Sequence, residues 1–258
     1  MTQKVDMAQI QQTTANLAGV VILAGGQSRR MGFPKAQLSL PSNERLLDYH
    51  VRHASQLGVP IIIADNERGF TVAETLLEQL TINAIPLLHT EDYRPATIEG
   101  SMETAGALSA IAGAMQALKT AAKPNSDNEL AASWLMVVSC DSLITAPKLW
   151  QALSPYCDSN SVETRTETAT NDIAANNSVI CLTDNSYPYP LLALYRLELA
   201  AKLCAYLDSG QRRVIEFIKP IAQPVLLPKE WLQLTNLNTP DDFKIACAQL
   251  WPAYMTDT

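Results

Sequence analysis

The stretch VVILAGGQSRRMGFPKAQL, Val20 to Leu38, passes from a four-residue apolar run through two glycines into three cations by its sixteenth residue. Val20, Val21, Ile22 and Leu23, mostly β-branched, predict a short strand buried on both faces. Gly25 and Gly26 then allow a sharp turn and let backbone N–H groups come close to a ligand, while Arg29, Arg30 and Lys35 carry the charge an anion requires. The spacing G-G-x-S-R-R-M-G-x-P-K matches neither of the two common phosphate loops, G-x-x-x-x-G-K-[ST] and G-x-G-x-x-G. A solvated basic turn accounts for two glycines alone. With the cations added and Pro34 pinning the loop, a pocket for a triphosphate accounts for more, because such a site stabilises charge developing at phosphorus.

Working outward, Glu44 to Leu57 places Leu47, Val51, Ala54 and Leu57 on one helical face, with Gly58 as its stop. VPIIIAD (Val59 to Asp65) predicts a second buried strand, TVAETLLEQL (Thr71 to Leu80) a helix, and AIPLLH (Ala84 to His89) a short strand. The polar run Thr90 to Thr104 reads as a long connection of the kind that is usually functional or disordered. Ala105 to Lys119 has helical spacing, and SWLMVVSCD (Ser133 to Asp141) predicts a strand that ends in an acid. Strand and helix in alternation predict an α/β fold, a Rossmann-like three-layer α/β/α arrangement around a mostly parallel sheet. In such a sheet the glycine turn and Asp141 share the carboxyl edge, where ligands bind. Alone, an Asp at a strand end reads as a turn cap; opposite a basic loop it reads as a metal ligand.

Residues 157–177 are polar, rich in Thr and Asn and without apolar period, and so are expected to form a disordered insertion. Ser178 to Leu197 predicts two strands around a turn, followed by a helix from about Glu198 to Leu207. Thr239, Pro240 and Asp242 mark a capped helix start. The domain is expected to span residues 19–251 as a single unit behind a flexible tail of residues 1–18.

The 258 residues carry a formal net charge of -7, and the cations are sparse and scattered, which argues against a nucleic-acid partner. The five cysteines are far apart with no C-x-x-C pair, so neither a disulfide framework nor a zinc site is suggested. No segment approaches the ~18 apolar residues of a membrane span, and the start lacks a signal-peptide core. A cytoplasmic protein without a membrane partner is expected. His50 and His53, at i and i+3 on a helix, are expected to be part-exposed, and His89 ends a strand; none has metal spacing.

LAGGQSRRMGFPKA resembles the signature of the nucleotidyltransferase superfamily that activates sugars, isoprenoid precursors and molybdopterin, and is most similar to the molybdenum cofactor guanylyltransferases. VVSCDS, SGQRRVIEFI and TNLNTPDDF resemble that family's later segments in the same order. The resemblance implies the nucleotide-diphospho-sugar transferase-like fold and transfer of GMP from GTP to molybdopterin or its molybdenum-loaded form, with pyrophosphate leaving and Mg²⁺ assisting. It implies a catalytic set of Arg29, Lys35 and Asp141, with Asp141 as the metal ligand. Leu23, Ala24, Gly25, Gly26 and Lys35 would line the nucleotide, and Asn66 or Asp65, with Asp92, would read its base or ribose. Gly106, Arg212, Arg213, Asn236 and Asn238 would meet the acceptor. From the residues alone, Arg212 and Arg213 also fit a solvent-facing helix start, and Asn236 and Asn238 fit simple turn positions. Family practice further implies transient contacts with a molybdenum-inserting enzyme and with molybdoenzyme chaperones.

Two departures from the family pattern stand out. Gly106-Ala107-Leu108-Ser109-Ala110 replaces Gly-Pro-Leu-Ala-Gly, and Leu143 stands where the family has proline two residues past the aspartate. Rival readings are a cytidylyltransferase for the same cofactor, whose loop resembles Leu-Ala-Ala-Gly, a sugar-phosphate nucleotidyltransferase, and a non-catalytic nucleotide-binding accessory protein.

Overall fold

The computed structural model describes residues 14, 16–26, 30–95, 106–121, 133–157 and 177–252. Most of the expected insertion and most of the expected tail lie outside them. The strands are β1 (Leu17–Leu23), β2 (Ile61–Ala64), β3 (Leu87–His89), β4 (Trp134–Ser139), β5 (Val179–Thr183), β6 (Pro188–Arg196) and β7 (Ala222–Leu226). The helices are α1 (Leu46–Ala54), α2 (Glu74–Ile82), α3 (Ala107–Ala121), α4 (Ala146–Leu153), α5 (Ala200–Asp208), α6 (Val214–Ile218) and α7 (Pro240–Leu250). β1 begins at Leu17, inside the segment expected to be tail.

One seven-stranded sheet runs in the order β3-β2-β1-β4-β6-β5-β7. β6 is antiparallel to both β4 and β5, and the other pairings are parallel. Alternate residues of each strand feed opposite faces, as a pleated strand requires. Val20, Ile22, Ile61, Ile63, Met136 and Val138 pack with α1, α2, α4 and α7. Val21, Leu23, Ile62, Leu135 and Val137 pack with α3, α5 and α6. The result is three layers, with β1 and β4 covered on both sides, in keeping with their unbroken aliphatic sequence.

Local signals place the helix ends. Gly58 takes the left-handed conformation at φ 68° and closes the 3-10 turn after α1. Thr239 accepts from the Asp242 N–H while the Asp242 carboxylate accepts from the Thr239 N–H, a complete capping box at the start of α7. Among the described residues no helix is long and apolar enough to cross a membrane.

Candidate active site

Strand register alone lines up the carboxyl edge. Leu23 is level with Ala64 on one side and Ser139 on the other, and Ile63 with His89. Two residues beyond Leu23, Ala64 and Ser139 come Gly25, Asn66 and Asp141, and three beyond His89 comes Asp92. They sit in the order of their strands, Asp92 and Asn66 to one side of Gly25 and Asp141 to the other. β6 runs the opposite way and brings its early residues to this edge, so Leu191 completes the row.

These residues open into a cleft of about 420 Å³, also lined by Leu23, Ala24, Gly26, Arg30, Lys35, Ala64, Gly106, Ala107, Ala110, Ser139, Cys140 and Asn238. That volume suits a nucleotide-sized ligand. The close approach of β1 and β2 demands glycine at one point: a Cβ on Gly25 would lie 2.8 Å from the Asn66 Cβ. Asn66 itself is left-handed at φ 57°, a conformation Asn tolerates better than most residues. Asp65 turns inward, where its carboxylate accepts the Phe70 N–H at 2.7 Å. Of the two alternatives for the base-reading position, Asn66 therefore faces the cleft.

Lys35 opens a 3-10 turn of residues Lys35–Gln37, and its Nζ donates to Asn238 Oδ1 at 3.0 Å. Burial lowers the pKa of its ammonium, Asp141 raises it and Arg30 lowers it again. Two cations and one carboxylate are thus gathered on one side of the cleft, an arrangement that becomes favourable when an anion enters. Cys140 lines the same wall, but burial and the adjacent Asp141 push its thiol up, so it is no thiolate nucleophile. Asp141 and Asp92 are the cleft's carboxylates. No cluster of three His, Cys, Asp or Glu groups that could hold a metal occurs among the described residues. A cation held here would therefore take a few protein oxygens and share the ligand's own.

The loop carrying Asp141 is tied from several directions. Leu237 N–H donates to the Asp141 carbonyl at 2.7 Å, and Leu143 N–H to the Leu234 carbonyl at 2.8 Å. The second bond gives the Leu143 departure a physical meaning, since proline there would have no N–H to donate. His50 differs from expectation: it is 1% exposed, and its Nε2 meets the Ser142 carbonyl at 2.9 Å. The part-exposed reading failed because the face of α1 that carries His50 packs on the strand-end loop instead of meeting solvent. Next to it, the Tyr49 hydroxyl donates to the Leu143 carbonyl at 3.1 Å.

Among the expected site residues, Leu23, Ala24, Gly25, Gly26, Lys35, Asn66, Asp92, Gly106, Asn238 and Asp141 line the cleft. Asn236 and Asn238 part ways: Asn238 faces Lys35, while Asn236 is an exposed, left-handed turn residue at φ 55°. Arg212 and Arg213 are absent from the lining. Arg212 Nη1 donates to the Leu207 and Gln211 carbonyls after α5, and Arg213 is the exposed N-cap of α6. Arg29 lies outside the described residues. Leu191 lines the cleft although nothing in the sequence marks it chemically. A bulge puts it there: Cys181 pairs with Ala193 but Leu182 with Tyr189, so Pro190, Leu191 and Leu192 are extra on β6. The buried Tyr195 hydroxyl donates to the Pro190 carbonyl at 2.9 Å and holds the bulge.

A family model described as MobA-like NTP transferase domain matches residues 20–225. A relative from Chloroflexus aggregans named "Probable molybdenum cofactor guanylyltransferase" is 24% identical over 244 residues, covering 89% of this chain and 93% of the relative. Among solved structures, molybdopterin-guanine dinucleotide biosynthesis protein A from Archaeoglobus fulgidus superposes with a TM-score of 0.55 at 18% identity, over 92% of this chain and 100% of that one. A protein from Aquifex aeolicus gives 0.51 at 17% identity, over 86% of this chain and 93% of that one. At these identities the two structures bear on the fold alone.

Proposed function

The chain belongs to the MobA-like NTP transferase family, and from that premise we propose that its cleft transfers GMP from GTP to molybdopterin or molybdenum-molybdopterin, forming the guanine dinucleotide and pyrophosphate. The observation that carries this reading is the convergence of Lys35, Arg30 and Asp141 beside the Gly25-Gly26 turn in one cleft. An oxygen of the acceptor's terminal phosphate attacks the α-phosphorus of GTP. The bond from that phosphorus to its bridging oxygen breaks, and the electron pair leaves with pyrophosphate. No covalent intermediate on the protein is required, so the protein's work is positioning and charge stabilisation.

Backbone N–H groups of the glycine turn approach the phosphates, and Lys35 and Arg30 balance the charge that collects on the departing pyrophosphate. Leu191 and Asn238, toward β6 and α7, border the acceptor side, and Asn66 and Asp92 offer hydrogen-bonding groups to the base or ribose. The donor chemistry fits Mg²⁺, a hard ion that binds through one or two carboxylates plus substrate phosphates, and Asp141 is the residue to hold it. When bound, the ion would neutralise phosphate oxygens and orient them for in-line displacement.

The guanine reading rests on the likeness of the Gly25-Gly26 loop to the guanylyl type, where the cytidylyl type has Leu-Ala-Ala-Gly; an alanine at Gly25 would also crowd Asn66, its Cβ 2.8 Å from the Asn66 Cβ. The test is pyrophosphate release from purified protein, molybdopterin and Mg²⁺ with GTP, CTP or ATP in turn. Release with GTP alone is expected. Release with CTP alone would overturn the base assignment, and release only when a sugar phosphate replaces molybdopterin would overturn the acceptor.

A further inference from the structure

No residue of α1 lines the cleft, yet two of its side chains hold the two carbonyls that follow Asp141. His50 Nε2 meets the Ser142 carbonyl and Tyr49 Oη the Leu143 carbonyl. On the other side of the loop, Leu237 N–H and Leu234 O fix Asp141 and Leu143 through the backbone. The same helix is also tied to the cation of the site: Leu46 N–H donates to the Leu38 carbonyl, and Leu38 N–H to the Lys35 carbonyl. One helix therefore sets where the Asp141 carboxylate and the Lys35 ammonium stand relative to each other, although they follow different strands.

Packing alone does not account for a histidine at this position. His50 is fully buried and its Nδ1 has no hydrogen-bond partner. An imidazole buried with one nitrogen unpaired is a worse filler than leucine or methionine, since a polar atom loses water without compensation. What leucine could not do is donate to Ser142. With Nδ1 unprotonated, Nε2 carries the hydrogen, and the neutral ring is a donor toward that carbonyl. Ser142 is itself buried, and its Oγ accepts the Ile144 N–H at 2.9 Å, so the carbonyl has few ways to turn elsewhere.

We propose that His50 is a positioning residue of the transfer site, holding the Ser142 peptide so that the Asp141 carboxylate presents to the metal-nucleotide complex. The inference rests on the reading that Asp141 holds Mg²⁺. Groups that orient a metal ligand typically change metal affinity or activity by about 10- to 100-fold when removed. His50 acts through a peptide bond, so the lower end, about tenfold, is expected.

The measurement is GTP affinity with and without Mg²⁺ by calorimetry, with no acceptor present, alongside thermal unfolding of each variant. In the wild type Mg²⁺ strengthens GTP binding; in Asp141→Asn that enhancement disappears. In His50→Leu the enhancement falls about tenfold while metal-free GTP binding and thermal stability stay near wild type. His50→Gln, which places an amide N–H near the Nε2 position, recovers most of it. A wild-type enhancement in His50→Leu, with Asp141→Asn still deficient, overturns the positioning role and leaves the function standing. Equal losses in the Leu and Gln variants, with matching falls in stability, assign His50 to packing and also overturn it. If Asp141→Asn keeps the full enhancement, the metal assignment itself is wrong and the inference falls with it. Should His50→Leu fail to fold, Tyr49→Phe decides. It deletes only the hydroxyl on Leu143: a reduced enhancement supports the grip of α1 on this loop, and a wild-type value removes it.

Discussion

Lys35 is subject to two opposed effects, burial that disfavours its charge and the Asp141 carboxylate that favours it. A triphosphate would add to the second, so the ammonium is worth most when charge builds on the leaving pyrophosphate. Lys35→Ala is expected to slow guanylyl transfer about a hundredfold, roughly 3 kcal/mol of transition-state stabilisation, with the fold intact by circular dichroism; an unchanged single-turnover rate would remove the phosphate-loop role. Lys35 was legible in the sequence because a cation a fixed distance past a glycine turn has few bland explanations. Asn66 was legible only as one of two neighbours, and strand register with the inward turn of Asp65 separated them. Leu191 and His50 were not legible. An apolar residue facing a ligand has the same letter as one facing the core, and a helical histidine shows its burial only once its neighbour across the fold is known.

Among the elements, the strands of the parallel half were the easiest to read, since double burial leaves unbroken β-branched runs. α4 and β7 were harder, because eight residues are too few for a clear helical period and Pro224 interrupts β7. Pro224 is tolerated there because β7 lies at the edge of the sheet, where a missing N–H breaks no ladder. The contact of α3 with the loop after β3 was invisible to periodicity and yet fixes the side of the cleft that carries Asp92. A Cβ on Gly113 would clash with the Glu91 carbonyl oxygen, while Tyr93 N–H donates to the Ser109 carbonyl and Tyr93 Oη donates to Asp208 at 3.0 Å. Helix propensity alone would make Gly113→Ala stabilising by about 1 kcal/mol. Overpacking against backbone costs about 1–3 kcal/mol and wins here. Gly113→Ala should lower the unfolding midpoint and weaken GTP binding by displacing Asp92; a midpoint above wild type would mean the loop gives way freely.

For the molecule as a whole, the mostly parallel sheet between two helical layers followed from alternation up to β4, whereas the reversal at β6 had no signal in the hydrophobic pattern, since antiparallel and parallel buried strands look alike. His50 and His53 both contribute to the molecule's acid response, since burial lowers the pKa of each imidazole. Burial pushes the His50 imidazole down to about 4, whereas the unfolded chain takes up that proton near 6.5. The folded form thus binds fewer protons between these values, so the His50 contribution is intact above pH 6.5 and is lost as the pH falls toward 4. The loss reaches about 3 kcal/mol. Urea midpoints of wild type and His50→Leu, close together at pH 7.5, should therefore separate toward pH 4, the wild type falling more steeply, and parallel curves would contradict the assignment. The bond between Lys35 and Asn238, 203 residues apart in the chain, bears on the order of events during synthesis. A nascent chain can pair β1 with β2 soon after both leave the ribosome, but Lys35 has no Asn238 to meet until translation has passed β7. A growing chain should therefore gain the ability to sequester nucleotide abruptly, only once the segment carrying Asn238 has emerged to meet the glycine turn.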